Sequence, residues 1–344
     1  MINLVQFPGL GLSLHINRVA ISLGGFNIYW YGIILAAGLM GGLLFAFRYG
    51  PDFGIDTDRM VDVVVIGTVM AIVCARIYYV AMAPFQYQSL WEMIDLRNGG
   101  IAIYGALIGA FVFGGLACKW RRIPLLQMFD LVAMGFLIGQ GIGRWGNFVN
   151  QEAFGCNTTL PWGMYSEATQ SYLAANAASL AAQGMTVDPT MPVHPTFLYE
   201  SLWCFAGLFM LFRFMKKRCF HGEIFLLYAV WYGCGRFWIE GLRTDSLMLS
   251  AALNLRASQL VAAVSVIAAL ALEIHFRRIY RKAPMMVNLA VADLNAYAKA
   301  FPDGVCAKAL PASASHAEFV QKTKEWNREI REKAESADSA QAEE

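Results

Sequence analysis

An all-α, polytopic integral membrane protein, with seven transmembrane helices and a small external cap insertion, is the fold class this sequence predicts. Three observations predict it. The 344 residues are 57% hydrophobic and 15% charged, with a mean hydropathy of +0.45, which is not the balance of a soluble globule. Seven stretches offer the ~20 mainly apolar residues that a hydrocarbon core demands: roughly 20–47, 60–83, 100–118, 125–145, 196–215, 222–242 and 257–276. Basic residues gather in alternate connections between them. Arg48 and Arg59 flank the first, Lys119, Arg121 and Arg122 fill the third, and Lys216, Lys217 and Arg218 fill the fifth. Arg277, Arg278, Arg281 and Lys282 follow the last helix, whereas the N-terminus, 84–99, 146–195 and 243–256 are basic-poor. The positive-inside rule then puts the N-terminus outside and the C-terminus in the cytoplasm.

The net charge of +2 says little, because the placement of the charges matters more than their sum. Seven cysteines (74, 118, 156, 204, 219, 234 and 306) are scattered without a C-x-x-C pair, which argues against a disulfide framework and against a zinc site. The N-terminus lacks a basic n-region and a clear cleavage site, so no removed signal peptide is expected.

In chain order, the first helix carries Tyr29-Trp30-Tyr31-Gly32 near its outer end, then Gly38 and Gly42 at small-xxx-small spacing. An aromatic belt and a packing face account for most of these. The second helix contains Arg76, followed by Tyr78 and Tyr79; the arginine either snorkels outward or lines a polar cavity. The third opens Gly99-Gly100-Ile101-Ala102-Ile103-Tyr104-Gly105-Ala106. The fourth holds Asp130, set to meet either a partner such as Arg76 or a polar cavity, and a row of Gly135, Gly139 and Gly143 that lets two helices approach closely.

That fourth helix ends in the stretch around which the chain is organised: Gly143-Arg144-Trp145-Gly146-Asn147-Phe148-Val149-Asn150-Gln151-Glu152-Ala153-Phe154-Gly155. An arginine, two asparagines and a glutamate gather where an apolar segment leaves the bilayer. Composition alone allows an Arg anchor with capping amides as readily as a site half in lipid and half in water. Residues 156–193 follow as the longest external insertion. Pro161-Trp162-Gly163 reads as a turn, and Ser166 to about Gln183 is Ala-rich with helical character.

The fifth helix begins His194-Pro195-Thr196-Phe197-Leu198-Tyr199-Glu200-Ser201, where Glu200 is buried by position and needs a partner. In the sixth, Tyr232, Arg236 and Glu240 recur every four residues and share one face, with Arg243 just beyond. An Arg236–Glu240 ion pair is the plain reading of that face. Three polar residues on one intramembrane face also imply a hydrated or substrate-filled cavity. The seventh helix has no polar stripe. Residues 284–344, broken by Pro284, Pro302 and Pro311 and rich in charge, form a cytoplasmic polar tail, with a short amphipathic helix possible around Glu318–Ala334 and the remainder disordered. The chain thus divides into 1–283, embedded in the membrane, and 284–344.

These motifs resemble those of the bacterial prolipoprotein diacylglyceryl transferase family, over roughly residues 25 to 282 and in the family's order. The thirteen-residue stretch is similar to its signature, the fifth-helix start to its H-P-[ST]-x-L-Y-E motif, and Tyr232 to Arg243 to Y-x3-R-F-x2-E-x2-R. The family has a functional tyrosine in a W-Y-G motif, here Tyr31, and an arginine at Arg76. It has histidine or tyrosine at the position of Tyr104; where it is histidine, proton transfer is the natural role. A phenol, ordinarily with a pKa near ~10, is a poorer base, so the base is left open between Tyr104 and His194.

The resemblance implies transfer of the diacylglyceryl group of phosphatidylglycerol to the lipobox cysteine thiol of a prolipoprotein signal peptide, in the bacterial inner membrane, with glycerol 1-phosphate leaving and a thioether remaining. Neither a metal nor a cofactor is implied, and nucleic acid is not a partner. It assigns Arg144, Tyr104, Arg236, Tyr31 and Glu240 to catalysis. Asn147, Asn150, Glu152, Gly155, Tyr232, Arg243, Arg76 and His194 would bind substrate. A transporter also uses buried charges, but inverted repeats and paired broken helices are absent from this sequence. An intramembrane protease would need a nucleophile and base in the membrane, and neither a Gly-x-Ser-x-Gly stretch nor an aspartate pair in membrane motifs is present.

Overall fold

The computed structural model describes residues 2–24, 26–83, 87, 89–95, 99–218, 220–245, 248–250 and 255–280, with scattered positions between 321 and 339. In chain order the elements are β1 (Ile2–Phe7), β2 (Leu12–Asn17), β3 (Val19–Leu23), β4 (Phe26–Tyr29), α1 (Trp30–Tyr49), α2 (Thr57–Ala81), α3 (Leu90–Ile94), α4 (Ile103–Arg121) and α5 (Leu125–Asn150). They continue with β5 (Tyr165–Ser166), α6 (Glu167–Ala182), α7 (Thr196–Phe214), α8 (Glu223–Leu242), β6 (Met248–Ser250), β7 (Leu255–Arg256) and α9 (Ala257–Tyr280). The chain divides into two compact units, Met1–Ala46 with Val132–Lys282 and Phe47–Leu131 with Ala283–Glu344.

In the first unit, α1 and α5 cross at backbone contact. A Cβ placed on Gly38 would stand 3.2 Å from the Gly139 carbonyl oxygen, and one on Gly42 would stand 3.3 Å from that of Gly135. The two glycine rows therefore mesh, as their four-residue spacing predicts. Ahead of α1 the all-α expectation fails. Residues 20–29, assigned by hydropathy to the first span, belong to a β3–β4 hairpin that runs directly into α1. Hydropathy measures apolar content and cannot by itself separate strand from helix. The β1–β2 hairpin turns through a 3-10 turn at Pro8–Leu10 with Gly11 at φ 63°, a conformation that glycine adopts without strain. β5 adds to the free side of β1, giving the order β2-β1-β5.

That small sheet joins the 156–193 insertion. Val5 and Phe7 of β1 pack with Phe148, Phe154, Met164, Leu173, Leu180, Val193 and Phe197 in one buried cluster. Ser166 caps α6 with a reciprocal bond to Thr169, so the Ala-rich helix starts where its capping residue predicts.

In the second unit, α2 packs closely on α4. A Cβ on Gly105 would lie 2.4 Å from the Cys74 carbonyl oxygen, and one on Gly109 would lie 2.6 Å from that of Met70. Arg121 and Asp62 pair at 2.7 Å.

Among the described residues, six helical stretches are long and apolar enough to cross a membrane: Trp30–Phe53, Thr57–Ala81, Ile103–Arg121, Leu125–Asn150, Thr196–Phe214 and Ala257–Arg278. The expected sixth span, α8, forms a helix of 20 residues but is not one of these six. Its polar face, with Tyr232, Arg236 and Glu240, sets it apart in composition. The tail reading, with its Glu318–Ala334 helix and disordered remainder, lies outside the described residues apart from those scattered positions.

Candidate active site

The signature forms where α5 ends. Gln151 and Ala153, both non-glycine, sit at φ 56°, a left-handed conformation in which side chains are strained. The chain doubles back there and lays Glu152 against its own helix. The Asn147 and Asn150 side-chain amides donate to Glu152 Oε1 at 2.9 and 3.3 Å, and Arg144 Nη1 donates to Asn147 Oδ1 at 3.3 Å. Arg18, just after β2, donates to the Asn150 carbonyl at 2.5 Å, placing a cation on the carbonyl end of the helix.

Gly155 pins three segments together. Its N–H donates to the His194 carbonyl at 2.9 Å, the Cys156 N–H donates to Leu242 O at 2.7 Å, and Gly155 bridges Arg243 as an antiparallel pair. A Cβ here would fall 2.7 Å from the His194 Cβ, so only glycine allows this approach. The pin gathers the end of α5, the start of α7 and the end of α8.

Glu200 stands at the centre of what these segments bring together. Its carboxylate pairs with Arg144 at 2.5 Å, with Arg236 at 3.4 Å and with Arg243 at 3.5 Å. Arg236 also pairs with Glu240 at 2.6 Å, one helical turn on. Arg243 is held by Asp245 through two hydrogen bonds, Nε to Oδ1 at 2.9 Å and Nη2 to Oδ2 at 2.7 Å. Burial alone would lower the pKa of Arg243, but the hydrogen bonds and charge of Asp245, with Glu200 and Glu240, outweigh it and raise it. Burial pushes the Asp245 carboxyl up, and Arg243 pulls it below the usual range. The Arg144 and Arg236 side chains stay 20% and 22% exposed, against 11% for Arg243.

The residues flanking Glu200 are anchored on both sides. Ser201 accepts from the Trp145 indole at 3.2 Å and donates to the Gly141 carbonyl at 2.8 Å. The Tyr199 hydroxyl accepts from the Trp162 indole at 2.8 Å and lies 3.1 Å from His194 Nδ1. The phenol keeps its own proton and a further lone pair for His194 Nδ1, which accepts or donates according to its tautomer. Burial lowers the His194 pKa below 6.5, which keeps the ring neutral near pH 7. Further along, Trp203 and Trp231 stack at 4.4 Å and 17°, and each indole N–H donates to the other residue's carbonyl at 2.9 Å. Gly207 and Gly235 make room for them. This clasp fixes the register between α7 and α8.

Of the other expected site residues, the Tyr31 ring packs on Gly146, within electrostatic reach of Arg144 and Glu152. Tyr232 stacks on Tyr228 at 5.7 Å, within reach of Arg144, Glu200 and Arg236. Arg76 and Tyr104 belong to the second unit. Arg76 donates four hydrogen bonds to backbone carbonyls, of Glu92, Met93, Gly99 and Gly100, at 2.7–2.9 Å, and so staples the segment before α4. Tyr104 stands 50% exposed near the start of α4. Asp130 is fully buried. Sequence reading singled out Glu200 as a buried acid in want of a partner but gave it no role. Asp245 and Arg18 lie in none of the motifs and were missed. Among the described residues, no cluster of three or more His, Cys, Asp or Glu could hold a metal.

Three guanidiniums around one acid, two of them reachable, suit a phosphate group, whose oxygens match the planar fork of arginine. A model of the family described as prolipoprotein diacylglyceryl transferase matches residues 18–275. The protein named phosphatidylglycerol–prolipoprotein diacylglyceryl transferase in Bacillus cytotoxicus is 44% identical over 242 residues, covering 70% of this chain and 86% of that one. Its namesake in Bacillus cereus strain Q1 is 45% identical over the same extent.

Proposed function

The chain belongs to the prolipoprotein diacylglyceryl transferase family, and on that premise we infer that it transfers the diacylglyceryl group of phosphatidylglycerol to prolipoproteins, the first step of lipoprotein maturation. The acceptor is the thiol of the lipobox cysteine in the signal peptide. The observation that carries this reading is the meeting of Arg144 and Arg236, from two motifs far apart in sequence, on the single carboxylate of Glu200.

In the reaction the sulfur attacks the glycerol carbon that bears the phosphate. A carbon–sulfur bond forms, the carbon–oxygen bond to phosphate breaks, and its electron pair stays on the phosphate oxygen. Glycerol 1-phosphate leaves, and the thiol proton passes to a base. Arg144 and Arg236 stabilise the charge growing on that oxygen, a contribution of several kcal/mol in a low-dielectric pocket. Asn147 and Asn150, oriented by Glu152, hold the headgroup, while Glu240 and Asp245 fix Arg236 and Arg243. Tyr31 and Tyr232 line the reacting centre. A thiol of ordinary pKa near ~8.5 needs little activation, so a fraction of it is already thiolate at neutral pH with its proton released to water; Tyr104, a base on the family resemblance alone, would take a proton only as its phenolate. His194 is a second reading, favoured by its neutral ring. Arg76 serves by shaping the segment it staples.

In this reading α8 is the seventh span, its polar face turned to the substrates. The hairpins and the 156–193 insertion form a small cap outside the bilayer, and 284–344 is a cytoplasmic tail. The basic connections face the cytoplasm, so the signature opens on the outer side of the inner membrane, and both membrane-borne substrates enter laterally between helices.

The test is mass spectrometry on the purified protein in micelles, with phosphatidylglycerol and a lipobox-cysteine peptide. The expected result is a diacylglyceryl adduct on the thiol together with released glycerol phosphate. A cleaved peptide, or no adduct under conditions where the protein is folded, would overturn the reading.

A further inference from the structure

Resting on the phosphate clamp proposed above, we propose that Glu200 is a positioning residue that acts as an internal counter-anion, competing with lipid phosphate for the donors of Arg144, Arg236 and Arg243. Two other carboxylates of the cluster each hold one of these arginines at short range. Glu240 pairs with Arg236, and Asp245 pairs with Arg243. Glu200 is shared by all three arginines, with one short contact and two long ones. The short contact fixes Arg144, and the long ones are the contacts of Arg236 and Arg243 that a second anion can replace while Glu240 and Asp245 keep theirs.

The acid is also held in place. Its neighbours Tyr199 and Ser201 are anchored to the insertion and to α5, and its own residue is 4% exposed. A carboxylate fixed there cannot retreat when a phosphate arrives, so the two negative charges bear on each other through the same guanidiniums.

This matters because the phosphate changes charge during the reaction. The lipid enters as a phosphodiester with one negative charge. The product is a monoester whose second ionisation, near pH ~6, gives it close to two charges at neutral pH. Arginines alone would hold such a product more tightly than the substrate. The fixed charge of Glu200 opposes the product more than the substrate and favours release.

The test is Glu200→Gln, which keeps the shape and removes the charge. Added glycerol 1-phosphate should inhibit the variant at a concentration about 10-fold lower than the wild type, with a lower KM for phosphatidylglycerol and a lower kcat. Glu200→Asp, which restores the charge, should return the inhibition constant towards that of the wild type; a purely structural defect would not separate the two variants in this way. An inhibition constant that is unchanged or raised in Glu200→Gln overturns the proposal. Should the amide variant fail to fold, Glu200→Asp decides: with its carboxylate drawn back by one methylene, it should be inhibited by glycerol 1-phosphate more strongly than the wild type, and inhibition equal to or weaker than the wild type's overturns the proposal. The underlying clamp fails separately, if Arg144→Ala or Arg236→Ala keeps near-full transfer.

Discussion

Where the start of α7 meets the end of α8, one carboxylate, Glu200, is shared by three guanidiniums. At the opposite end of the same two helices one guanidinium, Arg277, is shared by two carboxylates, Glu223 at 3.1 Å and Glu273 at 3.8 Å, and lies over the Phe214 ring at 5.2 Å. Both places bury acids. They differ in which charge is gathered around which. Around Glu200 the cations converge and stay within reach of a ligand; around Arg277 the acids converge, Glu223 is fully buried, and the cation is laid along an aromatic face. The first arrangement can trade one of its contacts for a phosphate. The second is a lock between α7, α8 and α9, because removing either partner of a buried pair leaves an uncompensated charge.

The contrast breaks most sharply at the arginines. Arg144→Ala and Arg236→Ala should each lower kcat/KM by about 10³-fold or more, with the protein still inserted and monodisperse; near-full turnover in either would erase the difference between the two ends. Arg277→Ala should do the reverse. We expect its melting temperature in micelles to fall by several degrees, about 1–3 kcal/mol given the partial exposure of Arg277, with transfer per folded molecule within about two-fold of wild type. Loss of transfer without loss of stability would give that end a catalytic role.

A smaller effect concerns His221, beside the lock. Burial, with the charge of Arg218, pushes its pKa down to about 3. In the unfolded chain the ring takes up a proton near pH ~6.5. Between these values the unfolded state binds more protons, so stability falls as pH drops from about 6.5 towards 3, by up to ~1.4 kcal/mol per pH unit. Melting curves at pH 7 and pH 5 should show this slope, and His221→Gln should flatten it without altering transfer at pH 7. A slope unchanged in the variant would remove His221 as its source. The smallest effect is expected from ending the chain at about Pro284: transfer should stay within about two-fold, and its loss in a truncation that inserts normally would bring the tail into the mechanism.

The long apolar helices were legible in the sequence because a span carries its signal in about 20 consecutive residues. The packing role of the glycine rows on α1 and α5 and the Arg236–Glu240 pair were legible too, since spacings of four residues place side chains on one face; that the two rows meet each other was not. The shared role of Glu200 was not. Its arginines lie at 144, 236 and 243, and no local period records a meeting made by the Gly155 pin and the α7–α8 clasp. The hairpins before α1 were hidden for another reason: Ala20 to Tyr29 is as apolar as a span, and only Gly24-Gly25 hints at the turn that folds it back. Arg76 was ambiguous because its partners are backbone carbonyls, which any sequence supplies.

The paired indoles of Trp203 and Trp231 have an optical consequence. Two stacked chromophores 4.4 Å apart couple their excited states, and the near-ultraviolet circular dichroism of the protein should carry that signature. Because Trp203 and Glu200 share α7 while Trp231 and Arg236 share α8, the pair reports without any label whether those two helices keep the register that brings acid and arginine together. A change in that signal on titration with phospholipid would measure movement of the arginine cluster in real time.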